Sequence, residues 1–140
     1  MQYLGHVISG AGVATDPSKV KDIMNWPVPQ SVKDVRAFLG LAGYYRKFVK
    51  NFGIISKPLT TLLRKGVLFM WTSVHDEAFT ALKQALSSTP VLSLLDFTKT
   101  FVIETDAFDR GVGAVLLQEG HPIAYISRVL GPKKSSTINI

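Results

Sequence analysis

The spacing of apolar residues changes once along the body of this chain, near residue 100. Before that point they recur every three or four residues, as on helices; beyond it they alternate, as on strands. An opening stretch, Tyr3–Ser9, alternates weakly and ends at Gly10-Ala11-Gly12, which reads as one arm of a hairpin. Asp16-Pro17 is a helix start, a capping acid followed by proline at the first helical position. The short helix it opens runs to about Trp26, where Pro27 and Pro29 stop it. Ser31, with Asp34 three residues on, is a capping-box variant that restarts helix to about Val49, with a break allowed near Gly43. A third helix covers roughly 55–65, with Pro58 in its first turn. Thr72 or Ser73 caps a fourth, Val74 to Ser87, whose Ala78, Phe79, Leu82 and Leu86 form one stripe. Thr100–Thr105, Val112–Gln118 and Ile123–Ser127 then read as three strands, joined by turns at 109–111 and 119–122. That is an antiparallel meander, which needs helices or further strands to cover a face. The fold class is α+β: a helical module followed by an incomplete antiparallel three-strand sheet.

The second helix carries the most information. At 100° per residue, Lys33, Arg36, Gly40, Tyr44 and Lys47 fall within ~80° of one another. Val35, Phe38, Ala42, Tyr45 and Val49 occupy a similar arc on the opposite side. One face is built for a core; the other is basic, aromatic and, at Gly40, bare. A glycine inside a helix costs ~1 kcal/mol against alanine and so needs a reason. Two reasons fit the sequence equally. Bare backbone among cations admits a phosphate backbone or a groove, or it lets two helices of the chain itself pack closely.

Composition sharpens this picture. The chain has 140 residues, 46% of them hydrophobic, which suffices for a core and disfavours a disordered tail. Its net charge of +6 favours a polyanionic partner. Residues 17–66 hold ten bases and two acids, whereas 67–130 hold four bases and seven acids. A basic module is thus followed by an acidic one, which suggests two units with different tasks. The absence of cysteine excludes disulfides, thiolate zinc sites, Fe–S clusters and a cysteine nucleophile. No segment reaches the ~18 consecutive apolar residues of a membrane span, and no membrane partner is expected. Met1–Gly10 lacks a signal pattern and opens inside a strand, which suggests a start further upstream.

The residues also resemble a known family. Tyr3-Leu4-Gly5-His6-Val7-Ile8-Ser9, Asp16-Pro17 with Lys19-Val20, and Trp26-Pro27 resemble the stretch just after the polymerase palm of gypsy-class LTR-retrotransposon reverse transcriptases. Val35-Arg36-Ala37-Phe38-Leu39-Gly40-Leu41 with Gly43-Tyr44-Tyr45-Arg46-Lys47-Phe48 is similar to that family's thumb signature. Thr105-Asp106-Ala107, Gly111-Val112-Gly113-Ala114-Val115-Leu116 and Pro122-Ile123-Ala124-Tyr125 with Ser127-Arg128 resemble the opening strands of its ribonuclease H domain. The resemblance covers roughly residues 3–130. It implies a primer-grip-like hairpin at 1–16, at the end of the palm, and a helical thumb at 17–66. A connecting helix and linker would follow at 67–99, ribonuclease H strands at 100–130, and a truncated or degenerate tail at 131–140. It further implies that Leu4, Gly5 and His6 grip the primer, largely through backbone and position, so that His6 need not act as a base. Lys33, Arg36, Gly40, Tyr44, Lys47 and Lys50 would contact nucleic acid, an RNA–DNA hybrid or a DNA duplex. Tyr44 suits a stacking or groove contact as well as plain packing. The rest of the Pol polyprotein would be a partner, and the family's cytoplasmic particle and nuclear steps would give the location.

The acids set the limit on chemistry. A two-metal site needs several convergent carboxylates around ions ~4 Å apart. Residues 1–66 offer only Asp16, Asp22 and Asp34, each read as a cap or a solvated charge. In the second half the resemblance makes Asp106 the first ribonuclease H carboxylate and an Mg²⁺ ligand, catalytic only in a completed site. Glu104 shares its strand face, Asp109 reads as a turn residue, and His75 and His121 as structural or exposed. Phe108 stands where the family has a small polar residue, and either crowds the site or packs on the sheet. The family's next acid, a Glu on the helix after the third strand, has no counterpart before Ile140. A fragment cut there, or a gene whose last residues run out of frame, would explain this. The expectation is a reverse transcriptase/ribonuclease H fragment that binds template–primer without catalysis. A nuclease completed by another chain, and a decayed element serving as a structural or interaction module, are the alternatives.

Overall fold

The computed structural model describes residues 2–3, 5–109 and 111–129, of which 2, 3 and 108 are described by backbone alone. Leu4, Arg110 and the tail at 131–140 lie outside the described residues. Three short strands open the chain: β1 (Gln2–Tyr3), β2 (His6–Ser9) and β3 (Gly12–Thr15), antiparallel in that order. Helices α1 (Pro17–Met24) and α2 (Val32–Tyr44) follow, then a 3₁₀ turn (Arg46–Phe48), α3 (Phe52–Thr61) and α4 (Ser73–Ser87). A second antiparallel sheet, β4 (Val102–Phe108), β5 (Gly111–Gln118) and β6 (His121–Val129), completes the α+β fold.

Local chemistry explains most boundaries. Asp16 caps α1 by accepting from the Ser18 amide at 3.0 Å, with Pro17 next. Ser31 caps α2 by accepting from the Asp34 amide at 3.2 Å. Asp34 reaches one residue further back than a capping box would, accepting from the Gln30 amide at 3.0 Å. On α4 the Nδ1 of His75 accepts from the Thr72 amide at 3.0 Å, which gives that histidine its structural role.

Two helices depart from the periodicity reading. α2 passes through Gly43 and ends at Tyr44, and the chain then tightens into the 3₁₀ turn. α3 begins at Phe52, not near residue 55, so Pro58 sits inside it. Asn51, at φ 61°, turns the chain into α3 without a side-chain cap, and Phe52, Gly53, Ser56 and Leu59 are buried along it. That burial outweighs an interior proline that ordinarily costs ~3 kcal/mol or more.

One apolar core joins the helices. It includes Ile23 of α1, Val35, Phe38 and Ala42 of α2, Tyr45, Phe48, Leu59 of α3, and Phe79, Leu82 and Leu86 of α4. Phe38 meets Phe79 edge-on, ring centroids 4.7 Å apart. The opening hairpin is tied to this core at both ends. Val13 and Leu92 exchange backbone hydrogen bonds of 2.7 and 2.8 Å. At the other end, the buried Tyr45 hydroxyl donates to the Gly5 carbonyl at 2.7 Å. Gly5 has φ +80°, and a Cβ there would lie 3.1 Å from both Tyr44 and Tyr45, so a side chain would be strained by its backbone and would crowd both rings.

Candidate functional site

The α2 surface matches its sequence period. Val35, Phe38 and Ala42 are buried, whereas Lys33, Arg36, Gly40 and Tyr44 are exposed, Tyr44 by 47%. A Cβ built on Gly40 meets nothing within 4 Å. No other part of the described chain packs against that glycine, so close helix–helix packing within this chain is not its reason. Lys47 is exposed too, but it lies on the 3₁₀ turn past the end of α2, with its Nζ 5.5 Å from the Phe48 ring centre. The 100° arithmetic places Lys47 on the α2 face only if the helix runs on, and it does not.

The hairpin adjoins this face. The His6 ring lies 5.1 Å from Tyr44, 5.6 Å from Tyr45 and 5.6 Å from Phe48, stacked on the last at 28°. His6 is therefore a packing residue that seats β2 on the end of α2. Burial, then the Asp16 carboxylate and Tyr44, push the Tyr45 phenol above its ordinary pKa. It remains the neutral donor that the Gly5 carbonyl requires. Sequence periodicity places Tyr45 in the core but does not show its hydroxyl reaching 40 residues back.

A second feature lies where the sheet meets the helices. Lys50 and Asn51, between the 3₁₀ turn and α3, line an open cavity of about 230 Å³ with Glu104, Asp106, Gly113 and Tyr125. Glu104 and Asp106, two apart on β4, share one face, and both are exposed. Lys50 and Tyr125 also line an adjoining cavity of about 210 Å³ reaching Ser88 and Pro90. Among the described residues, no group of three or more His, Asp or Glu side chains could hold a metal ion. Two strand carboxylates facing a lysine do not fit a pair of Mg²⁺ ions, so these side chains support no metal-dependent step by themselves. No described helix is long and apolar enough to cross a membrane.

Arg46 and Ser127 take part in the architecture in a way that sequence spacing does not reveal. The Arg46 guanidinium donates to the Ser127 carbonyl at 2.6 Å, and the Gly53 amide donates to the Ser127 hydroxyl at 2.6 Å. The local signal is a Tyr-Arg-Lys run at a helix end, which reads equally well as surface charge.

This arrangement, a hairpin seated on a basic-faced helical module followed by a three-strand antiparallel sheet, is an α+β fold shared with reverse transcriptases. Residues 71–139 match the family described as the RNase H-like domain found in reverse transcriptase. The chain is 46% identical over 129 residues to the retrovirus-related Pol polyprotein from transposon 297 of Drosophila melanogaster. It is 42% identical over 142 residues to that from transposon gypsy of the same organism. These alignments cover 91% and 93% of the chain, which spans only 12% and 14% of those relatives' length. Among solved structures, a foamy viral protease-reverse transcriptase in complex with double-stranded DNA superposes with a TM-score of 0.86 at 29% identity. That match covers 94% of this chain and 24% of the other. The same kind of protein in complex with RNA/DNA hybrid gives 0.85 at 29% identity, over 94% of this chain and 19% of that one. The chain belongs to the gypsy-class retrotransposon Pol polyprotein family, as part of its reverse transcriptase–ribonuclease H region.

Proposed function

We propose that this chain binds template–primer duplex, an RNA–DNA hybrid or a DNA duplex, on the α2 face and the basic turn after it, and serves the reverse transcriptase of a Pol polyprotein as thumb and start of the ribonuclease H-like domain. Gly40 carries the reading. It is an exposed interior helical glycine with open space over its Cα, set between Arg36 and Tyr44. Such a glycine weakens its own helix, and the cost is explained by something outside the chain coming close. The exposed cations beside it indicate what that is, and the structural neighbours are complexes with double-stranded DNA and with RNA/DNA hybrid. The Gly5–His6 end of the hairpin would lie beside the same duplex, as a primer grip; Leu4, the third residue of that motif, lies outside the described residues. Asp106 is assigned to the family's first metal-binding carboxylate without a complete site around it.

Lys33, Arg36, Lys47 and Lys50 would each meet one phosphate. Binding to a duplex should then fall with salt at a slope of about −3.6 in log K against log salt, from ~0.9 per phosphate. Titration of a labelled hybrid and of a DNA duplex across salt concentrations tests this. Salt-independent binding, or none, overturns the reading.

A further inference from the structure

We propose that Arg46 is a positioning residue that fixes the β4–β6 sheet on the helical module and, through it, the setting of Lys47 and Lys50; the proposal rests on the duplex-binding reading above. Arg46 sits in the basic run 46–50 and would be counted as a phosphate contact on charge alone. The residue is exposed, yet its guanidinium is already engaged through one nitrogen. It donates to the Ser127 carbonyl of β6 at 2.6 Å and lies 5.3 Å from the Phe52 ring centre, as a cation over an aromatic face. The surrounding joint is built to keep it there. The Gly53 amide holds the Ser127 hydroxyl, and a Cβ on Gly53 would lie 3.1 Å from both the Arg46 guanidinium and that hydroxyl. On the sheet side, a Cβ on Gly111 would come within 2.8 Å of Ile54. Two glycines thus let the backbones of α3 and the sheet approach until one arginine spans them. Both flanking cations follow that span: Lys47 is the next residue, and Lys50 lines the cavity whose opposite wall is β4 and β5.

The Nη2 donor held by Ser127 cannot turn to a phosphate without releasing the sheet. Its removal should weaken duplex binding through orientation and leave the count of phosphate contacts unchanged. The test compares the parent chain with Arg46→Ala, Arg46→Gln and Lys47→Ala in duplex titrations across salt. Arg46→Ala is expected to lower affinity about tenfold at fixed salt with the parent's salt slope. Arg46→Gln keeps an N–H donor but no charge, and should restore most of the affinity. Lys47→Ala should reduce the slope by about 0.9. A slope loss of that size in both Arg46 variants overturns the proposal.

A second measurement does not depend on binding. The chain has no cysteine, so spin labels at Thr80→Cys on α4 and Asp109→Cys beyond β4 report one distance between module and sheet. Arg46→Ala should broaden or shift that distance and Arg46→Gln should keep it; an unchanged distance in Arg46→Ala overturns the proposal. If Arg46→Ala does not fold, Arg46→Gln decides alone, by parent-like slope, affinity and distance on one side and slope loss on the other. If the parent binds no duplex, the functional reading fails while the label distance still tests the joint.

Discussion

Gly40→Ala should make this protein more stable and a poorer ligand for duplex. Gly40 lies inside α2 and is exposed, and the built Cβ has no neighbour within 4 Å. The methyl group therefore clashes with nothing in the described chain, and the helix gains the difference in propensity, about 1 kcal/mol. For a chain of this size that corresponds to a rise in melting temperature of about 3–5 °C. In the complex the same methyl group enters the space that the duplex backbone would occupy. Overpacking a close contact by one carbon costs about 1–3 kcal/mol, or roughly 5- to 150-fold in affinity. Thermal unfolding by circular dichroism and duplex titration at one salt concentration measure the two effects on a single preparation. Raised stability with unchanged affinity would refute close approach at Gly40. Lowered stability would refute the open space itself. The opposite movement of the two quantities is what a general folding defect cannot produce.

Three further outcomes follow from the anchoring contacts. Gly12→Ala should destabilise by about 3 kcal/mol, because Gly12 has φ +131° and its Cβ would overlap the Leu92 carbonyl oxygen; denaturant unfolding measures this, and a change under 1 kcal/mol (roughly the size of an ordinary surface effect) would refute it. Tyr45→Phe should cost about 1 kcal/mol by removing the bond to the Gly5 carbonyl, which keeps the Asp16 amide as a donor at 3.2 Å. Because the Tyr45 phenol is held above its ordinary pKa, its contribution is present at neutral pH and lost as pH rises through the raised value, so the variant should flatten the alkaline limb of stability against pH. The Thr98 hydroxyl and amide hold the Asp96 carboxyl below its ordinary value; that contribution is present above the ordinary carboxylate range and lost as pH falls through the lowered value, so Asp96→Asn should flatten the acid limb.

The legible parts of the chain follow from local rules. Val35, Phe38 and Ala42 point inward and Lys33, Arg36 and Gly40 outward because a helix repeats every 3.6 residues whatever surrounds it. Asp16, Ser31 and Thr72 can be placed at helix starts because a cap acts within three residues. The start of α3 is not legible, since a left-handed Asn51 and the burial of Phe52 depend on what packs above them. Periodicity misplaces Lys47 on the α2 face for the same reason: the helix stops where Tyr45 turns inward to reach Gly5. The joint between Arg46 and Ser127 spans 81 residues and leaves no periodic trace.

Net charge is for that reason a poor count of binding contacts in this chain. Ten bases lie between residues 17 and 66, yet Arg46 is committed to a carbonyl of β6 and the ring of Phe52. Beyond that module, Lys83 donates to the Trp26 carbonyl at 2.9 Å over the Phe79 ring, where burial holds its pKa below the ordinary value. Lys99 pairs with Glu119 at 3.0 Å. Each of these cations joins two segments distant in sequence, so each serves the fold before it can serve a partner. Lys33 and Arg36, exposed on α2, differ in that the helix period and the core beneath it set their position. A surface whose charges are not needed for its own stability can exchange counterions for phosphates without loosening, which is what the proposed duplex-binding face would require.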